Sequence, residues 1–229
     1  MVERLLAWFD DHGRDLPWRH TRDPYAIIVS EVMLQQTQAA RVVPRYVAWL
    51  ETWPTVEALS AASTADVLRA WQGLGYNRRA VSLQRTAREV AANGWPDDLT
   101  ALPGVGRYTA DAVARFAFDR PVLPVDVNVQ RVLERTGGRF DHTCAHALMD
   151  LGATVCIARV PRCGECPLAD SCPSRGLRYE PARKQGRFEG SFRQRRGLAL
   201  RALLDGVDPE DDEAVAALAR DGLVPSAPS

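Results

Sequence analysis

Apolar residues recur at three- and four-residue spacing through most of the chain up to about residue 155, the period of helices that bury one face. The pattern predicts helices over Val2 to His12, Pro24 to Gln38, Arg41 to Glu51, Thr64 to Gln72, Arg78 to Ala92, Arg107 to Phe118 and Val127 to Thr136. Start signals support them. Asp23-Pro24 reads as an N-cap followed by proline at the first helical position, and Ser63 with Asp66 resembles a capping box. Val122 to Val129 alternates as a strand would, but Pro121 and Pro124 lack the N–H that a ladder needs, so this stretch reads as an extended connector. After Cys172 the chain becomes arginine-rich and irregular, then offers two further helices, Phe192 to Leu204 and Asp211 to Arg220. The fold class that follows is mainly α.

With 229 residues, 46% of them hydrophobic, the chain can build one large domain or two small ones. No apolar run approaches the roughly 18 to 20 residues that span a bilayer. The N-terminus also lacks the basic-then-apolar pattern of a secretory leader, so no membrane partner and a cytoplasmic location are expected. Net charge is zero but unevenly spread: Cys156 to Arg201 carries eleven basic residues against four acidic, and Ala202 to the end one against seven. A basic stretch of this kind suits DNA, and it equally suits a solvated surface. Lys184 is the only lysine among 29 basic residues.

Four of the five cysteines, Cys156, Cys163, Cys166 and Cys172, form a C-x6-C-x2-C-x5-C run. Thiols crowded in this way without a leader read as metal ligands, and four of them serve a tetrahedral zinc or a cubane iron-sulfur cluster equally well. Cys144 lies outside the run. Leu102 to Ala110 includes Gly104, Gly106 and Arg107 just before a helix, where a tight turn brings backbone amides and the helix dipole towards an anion such as a phosphate. A plain helix-helix turn would share this pattern.

Glu31 is a lone carboxylate on the apolar stretch Ile27 to Leu34. Desolvation there should raise its pKa and make it a general acid, while Gln35 and Gln36 supply amides able to bond base edges; a glutamate that anchors a helix terminus or pairs with an arginine would fit the same segment. Asp126 ends the extended connector at a helix start. It can cap that helix and also offer an anion to a positive charge, and breaking an N-glycosidic bond needs both an acid at the base and an anion at the sugar.

Taken together, Leu16-Pro17-Trp18-Arg19, Ser30 to Gln38, Gly73-Leu74-Gly75-Tyr76, Leu102 to Ala110, Val125 to Val129, Met149 to Ala153 and the four cysteines resemble the helix-hairpin-helix DNA glycosylases, specifically the adenine DNA glycosylases of the MutY group. The resemblance runs from about Leu5 to Cys172. It implies a six-helix barrel over residues 21–125 carrying the helix-hairpin-helix motif, and a cluster domain built from residues 1–20 and 126–175, followed by a short extension over 176–229. It implies a 4Fe-4S cluster on the four cysteines, rather than zinc, and a duplex DNA partner containing a mispair, bound by a monomer at the nucleoid. By position, Glu31 protonates adenine, Asp126 stabilises or traps the sugar cation, and Tyr108 assists at the sugar. Gln36 and Tyr76 wedge into the duplex; Arg19, Gln35, Gly104, Gly106, Arg107 and Asn128 complete the expected DNA contacts. Related enzymes that also cut the backbone resemble endonuclease III and use a lysine where Tyr108 stands, and this sequence has no lysine before residue 184.

The sequence departs from the family in three places. No room remains after Cys172 for a C-terminal Nudix-like domain, the segment from Arg131 to Met149 is short by about two helices, and Asn77 replaces a second tyrosine. Two other readings stay open: a thymine or uracil mismatch glycosylase, and a DNA-binding iron-sulfur or zinc module without catalysis.

Overall fold

A computed structural model describes residues 1–178 and 186–224. Among the described residues there is no strand. The longer helices are α1 (Val2–His12), α2 (Pro24–Leu34), α3 (Ala39–Thr52), α4 (Val56–Ala61), α5 (Thr64–Ala70), α6 (Arg78–Asn93), α7 (Arg107–Phe116), α8 (Val127–Thr136), α9 (Ala145–Asp150), α10 (Phe192–Leu204) and α11 (Asp212–Arg220). Residues 122–126 before α8 carry no regular secondary structure and end in extended backbone at Asp126, while Val127 to Val129, which the alternating pattern placed in the connector, belong to α8. Contacts divide the chain into two units, Met1–Pro24 with Gly106–Lys184, and Tyr25–Val105 with Gln185–Ser229. This division places α7 with the cysteine run and α10 and α11 with α2 to α6, whereas the resemblance drew the barrel on to residue 125 and set residues 176–229 apart.

The second unit is organised around α2. Every residue from Tyr25 to Met33 is buried, so α2 has no polar stripe and is enclosed on all sides. Trp49 meets both Trp53 and Trp71 edge to face, and its indole N–H donates to the Tyr25 hydroxyl, which donates in turn to the Trp53 carbonyl. α2 ends at Leu34, short of the predicted Gln38, because Gln36 turns left-handed with φ +55°. α10 and α11 form a hairpin that packs on α5, and Arg69 donates to the Leu204 carbonyl at 2.7 Å.

The core of the first unit gathers Leu5 of α1, Val129 and Val132 of α8, Leu148 of α9, Cys144, Leu151, Val155 and Leu168. α9 runs into a π-helical turn, Leu151–Val155, in which the Cys156 N–H reaches back to the Leu151 carbonyl. Gly152 lies against α8 so closely that a Cβ there would sit 2.9 Å from both the Asn128 Cβ and its carbonyl oxygen. Only glycine fits at this contact.

Candidate functional site

In the second unit, Glu31 is 5% exposed, with its Oε2 closed off from water, while its neighbours on α2 are apolar. Ser30 beside it turns its hydroxyl inward to the Ile27 carbonyl. Past the end of α2, Gln35 is half-buried and Gln36 exposed. Tyr76 is 49% exposed in a loop where Gly73, Gly75 and Tyr76 itself all have positive φ. Gly104 also has positive φ, +75°, and a Cβ on it would fall 2.6 Å from the Ser82 Cβ, so glycine is required twice over.

In the first unit, Gly106 caps α7 with ordinary φ of −84° and open space around it, so the space there does not demand glycine. Arg107 opens α7 with an exposed side chain paired to Asp111, and Tyr108 follows, half-buried. Asp126 caps α8. Its Oδ1 accepts from the backbone N–H of Asn128 and Val129 at 2.9 and 2.7 Å, and its Oδ2 from the Asn128 side-chain amide at 2.7 Å. The Asn128 Oδ1 accepts from Arg131, which also donates to the carbonyls of Gly152 and Cys156. A hydrogen-bonded chain therefore joins Asp126 to the backbone of the first cysteine of the run.

The four cysteines line one cavity with Arg135, Leu151 and Val155. Arg135 approaches the Cys156 Sγ at 3.5 Å, its carbonyl faces the Cys172 Sγ at 3.4 Å, and the Gly176 N–H faces the Cys163 Sγ at 3.3 Å. The Arg135 guanidinium and the Gly176 N–H are donors of the kind that suit thiolates bonded to a cluster, whereas the Arg135 carbonyl accepts from the Cys172 thiol. These four thiols surround a common space. That donor set fits a polynuclear iron-sulfur cluster.

Sequence reasoning missed Asp150 and Arg14. The Asp150 carboxylate is fully buried and accepts five hydrogen bonds of 2.7 to 2.9 Å, from the Arg14 backbone and guanidinium and from Arg19. Burial pushes this carboxyl up, but the hydrogen bonds from Arg19 and Arg14 outweigh it and hold it below the usual range. Arg19, expected at the DNA, thus has its guanidinium engaged by Asp150 and the Arg14 carbonyl. The signal was present: Asp150 is a lone carboxylate in the apolar run Ala147 to Leu151, the same pattern that drew attention to Glu31.

A cavity of about 190 Å³ beside Trp18 and Arg19 is lined also by Arg115, Phe116, His142 and His146. His146 stacks on Phe116 with ring centres 4.3 Å apart, and burial, helped by Arg19, lowers its pKa from 6.5 to about 4. A histidine whose folded pKa is depressed is more easily protonated when unfolded, so its stabilising share is complete above pH 6.5 and is lost as pH falls towards 4. Unfolding free energy measured by urea titration should drop by about 3 kcal/mol across that window. His146→Leu should flatten the step; an unchanged step would assign it to other groups.

Comparison with known proteins agrees with this geometry. Residues 29–147 match the model of the HhH-GPD superfamily of base excision DNA repair proteins, and residues 156–172 match the iron-sulfur binding domain of endonuclease III, whose limits are Cys156 and Cys172. An adenine DNA glycosylase of Mycobacterium tuberculosis is 46% identical over 87% of this chain and 77% of its own length. One of Mycolicibacterium smegmatis is 44% identical over 90% and 80%. Among solved structures, a thermostable thymine-DNA glycosylase superposes with a TM-score of 0.68 at 29% identity, covering 76% of this chain and 94% of that one. The cofactor these matches indicate is a 4Fe-4S cluster, and the matched segment contains Cys156, Cys163, Cys166 and Cys172. With its family model spanning half the sequence and relatives this similar over most of their length, the chain belongs to the HhH-GPD superfamily of base excision DNA repair enzymes and, within it, to the adenine DNA glycosylases.

Proposed function

We propose that this protein is a monofunctional glycosylase that hydrolyses the N-glycosidic bond of adenine mispaired with guanine or oxidised guanine. The observation that carries the reading is Glu31, a glutamate enclosed within an apolar helix of a chain that is 46% identical to an adenine glycosylase. Removing a carboxyl from water disfavours its charged form, so Glu31 is suited to hold a proton and give it to the departing base. As the bond to the sugar lengthens, positive charge develops there. Asp126 supplies the opposing charge, and its three N–H partners fix its orientation before the reaction begins. Tyr108 acts at the sugar, and water completes the hydrolysis.

Cys156, Cys163, Cys166 and Cys172 hold the cluster, which ties the cysteine run together and anchors the Arg131 links to Asn128 and so to Asp126. The residue in the position of a lyase lysine is Tyr108, which cannot form a Schiff base. Flipping the target nucleotide out of the stack costs a few kcal/mol, and Gln36 and Tyr76, on exposed left-handed turns, are placed to offset that cost as wedges.

The test uses anaerobically purified protein and a duplex with one A·G mispair. The adenine strand should break only after alkali, and borohydride should trap no covalent adduct. Breakage without alkali, or a borohydride adduct, would place the protein among the lyases.

A further inference from the structure

Gln36 and Tyr76 lie on two different loops, which meet where the Thr37 hydroxyl donates to the Leu74 carbonyl at 3.4 Å, while Arg41 and the Trp71 indole hold the Gly73 and Gly75 carbonyls. Gln36 has φ +55° and Tyr76 φ +48°, a region that costs side-chain-bearing residues free energy unless the surroundings enforce it. The group that makes most bonds to both loops is Arg79, in the first turn of α6. Its Nη1 donates to the carbonyls of Val32, Met33 and Gln35 at 2.7, 3.2 and 2.6 Å. Those carbonyls belong to the last turn of α2 and the residue after it, which have no partner within the helix. Its Nη2 donates to the Leu74 and Gly75 carbonyls at 3.1 and 3.0 Å and to the Thr37 hydroxyl at 3.4 Å. The guanidinium also lies over the rings of Trp71 and Tyr76, 5.3 and 5.6 Å from their centres. One planar cation thus bonds both loops and faces the exposed tyrosine.

We propose that Arg79 is a positioning residue for mispair recognition, locking the Gln35–Gln36 turn and the Gly73–Tyr76 turn into a single preformed wedge. This inference rests on the wedge roles given above to Gln36 and Tyr76. Preforming the wedge removes the ordering cost that two independent loops would pay on meeting DNA. It also explains why arginine stands here: only a forked, planar cation reaches two sets of carbonyls at once, and a lysine ammonium in its place would be a point charge serving one.

The test compares full-length, cluster-loaded protein with Arg79→Lys and Arg79→Met. In DNA-free protein, amide hydrogen exchange over residues 34–38 and 73–77 should accelerate together by about tenfold in both variants, with the cysteine run unchanged. The ratio of Kd values for a fully paired and an A·G duplex should fall by about fivefold, and adding Tyr76→Ala to Arg79→Lys should cause little further loss. Unchanged exchange, acceleration in one loop alone, or fully additive loss with Tyr76→Ala would overturn the proposal. Should Arg79→Met fail to fold, Arg79→Lys alone decides. If unaltered protein shows no preference for the mispair, the functional reading fails, while the exchange experiment still decides whether Arg79 couples the loops.

Discussion

Glu31→Gln is expected to lower the single-turnover rate of base release by about 10³-fold while leaving affinity for an A·G duplex within about threefold. Glutamine matches glutamate in shape, so the packing around α2 should persist, but an amide cannot deliver a proton to a leaving base. The physical basis is the burial of one carboxyl side chain among Tyr25 to Met33. A single-turnover assay beside a binding titration separates the two effects. Release within tenfold of the unaltered rate would remove Glu31 from the acid role, and loss of binding in parallel would show that the residue is structural.

The second large effect concerns stability. Asp150→Asn should cost about 3 to 5 kcal/mol of unfolding free energy, because the buried guanidinium of Arg19 and the partly buried one of Arg14 would lose their shared counter-charge. Arg19 and Arg14 are 11% and 32% exposed at the side chain, so Arg19→Met should cost more than Arg14→Met, whose loss solvent partly makes good. The pH dependence has a definite sign. The folded Asp150 carboxyl titrates below its usual range, so its contribution is present above the unfolded value of about 4 and disappears as pH falls through the lower folded value. Acid unfolding should therefore show the His146 loss first, between pH 6.5 and 4, and the Asp150 loss below it. Urea denaturation of cluster-loaded protein checks the size, and a cost below about 1 kcal/mol would mean that the triad contributes little net.

Much of the architecture is legible in the pattern of apolar residues because helix period and helix starts are local properties. α1 and α8 fall at their predicted limits, and the Asp126 cap follows from an aspartate standing where an extended connector meets a helical run. What the pattern misses depends on distant partners. α2 stops at Leu34 although Gln35 to Gln38 contains no breaker, because Arg79, far along the chain, takes the carbonyls at its end. α4 is a helix of six residues, too short to show a period, and depends on packing against α6. Arg14, Arg79 and Arg131 have no local signature, since one arginine among so many becomes informative only when its acceptors are known.

The candidate site divides in the same way. The cysteine spacing marks candidate ligands and leaves zinc and iron-sulfur equally open; the match of residues 156–172 to an iron-sulfur binding domain decides for the cluster. The basic stretch after Cys156 looked suited to DNA, but Arg195 is paired with Asp211 and Glu213, and Arg196 with Asp221. Part of that charge is neutralised by the acidic segment beyond it. Charge counted along a sequence does not show how helices fold back on one another.

The central claim is adenine release from a mispair, and one measurement meets it directly. Anaerobically purified protein is incubated with four duplexes containing A·oxidised guanine, A·G, T·G and U·G, and the free base liberated from each is identified by mass. The account predicts adenine from the first two and no base from the others; thymine or uracil without adenine would contradict it.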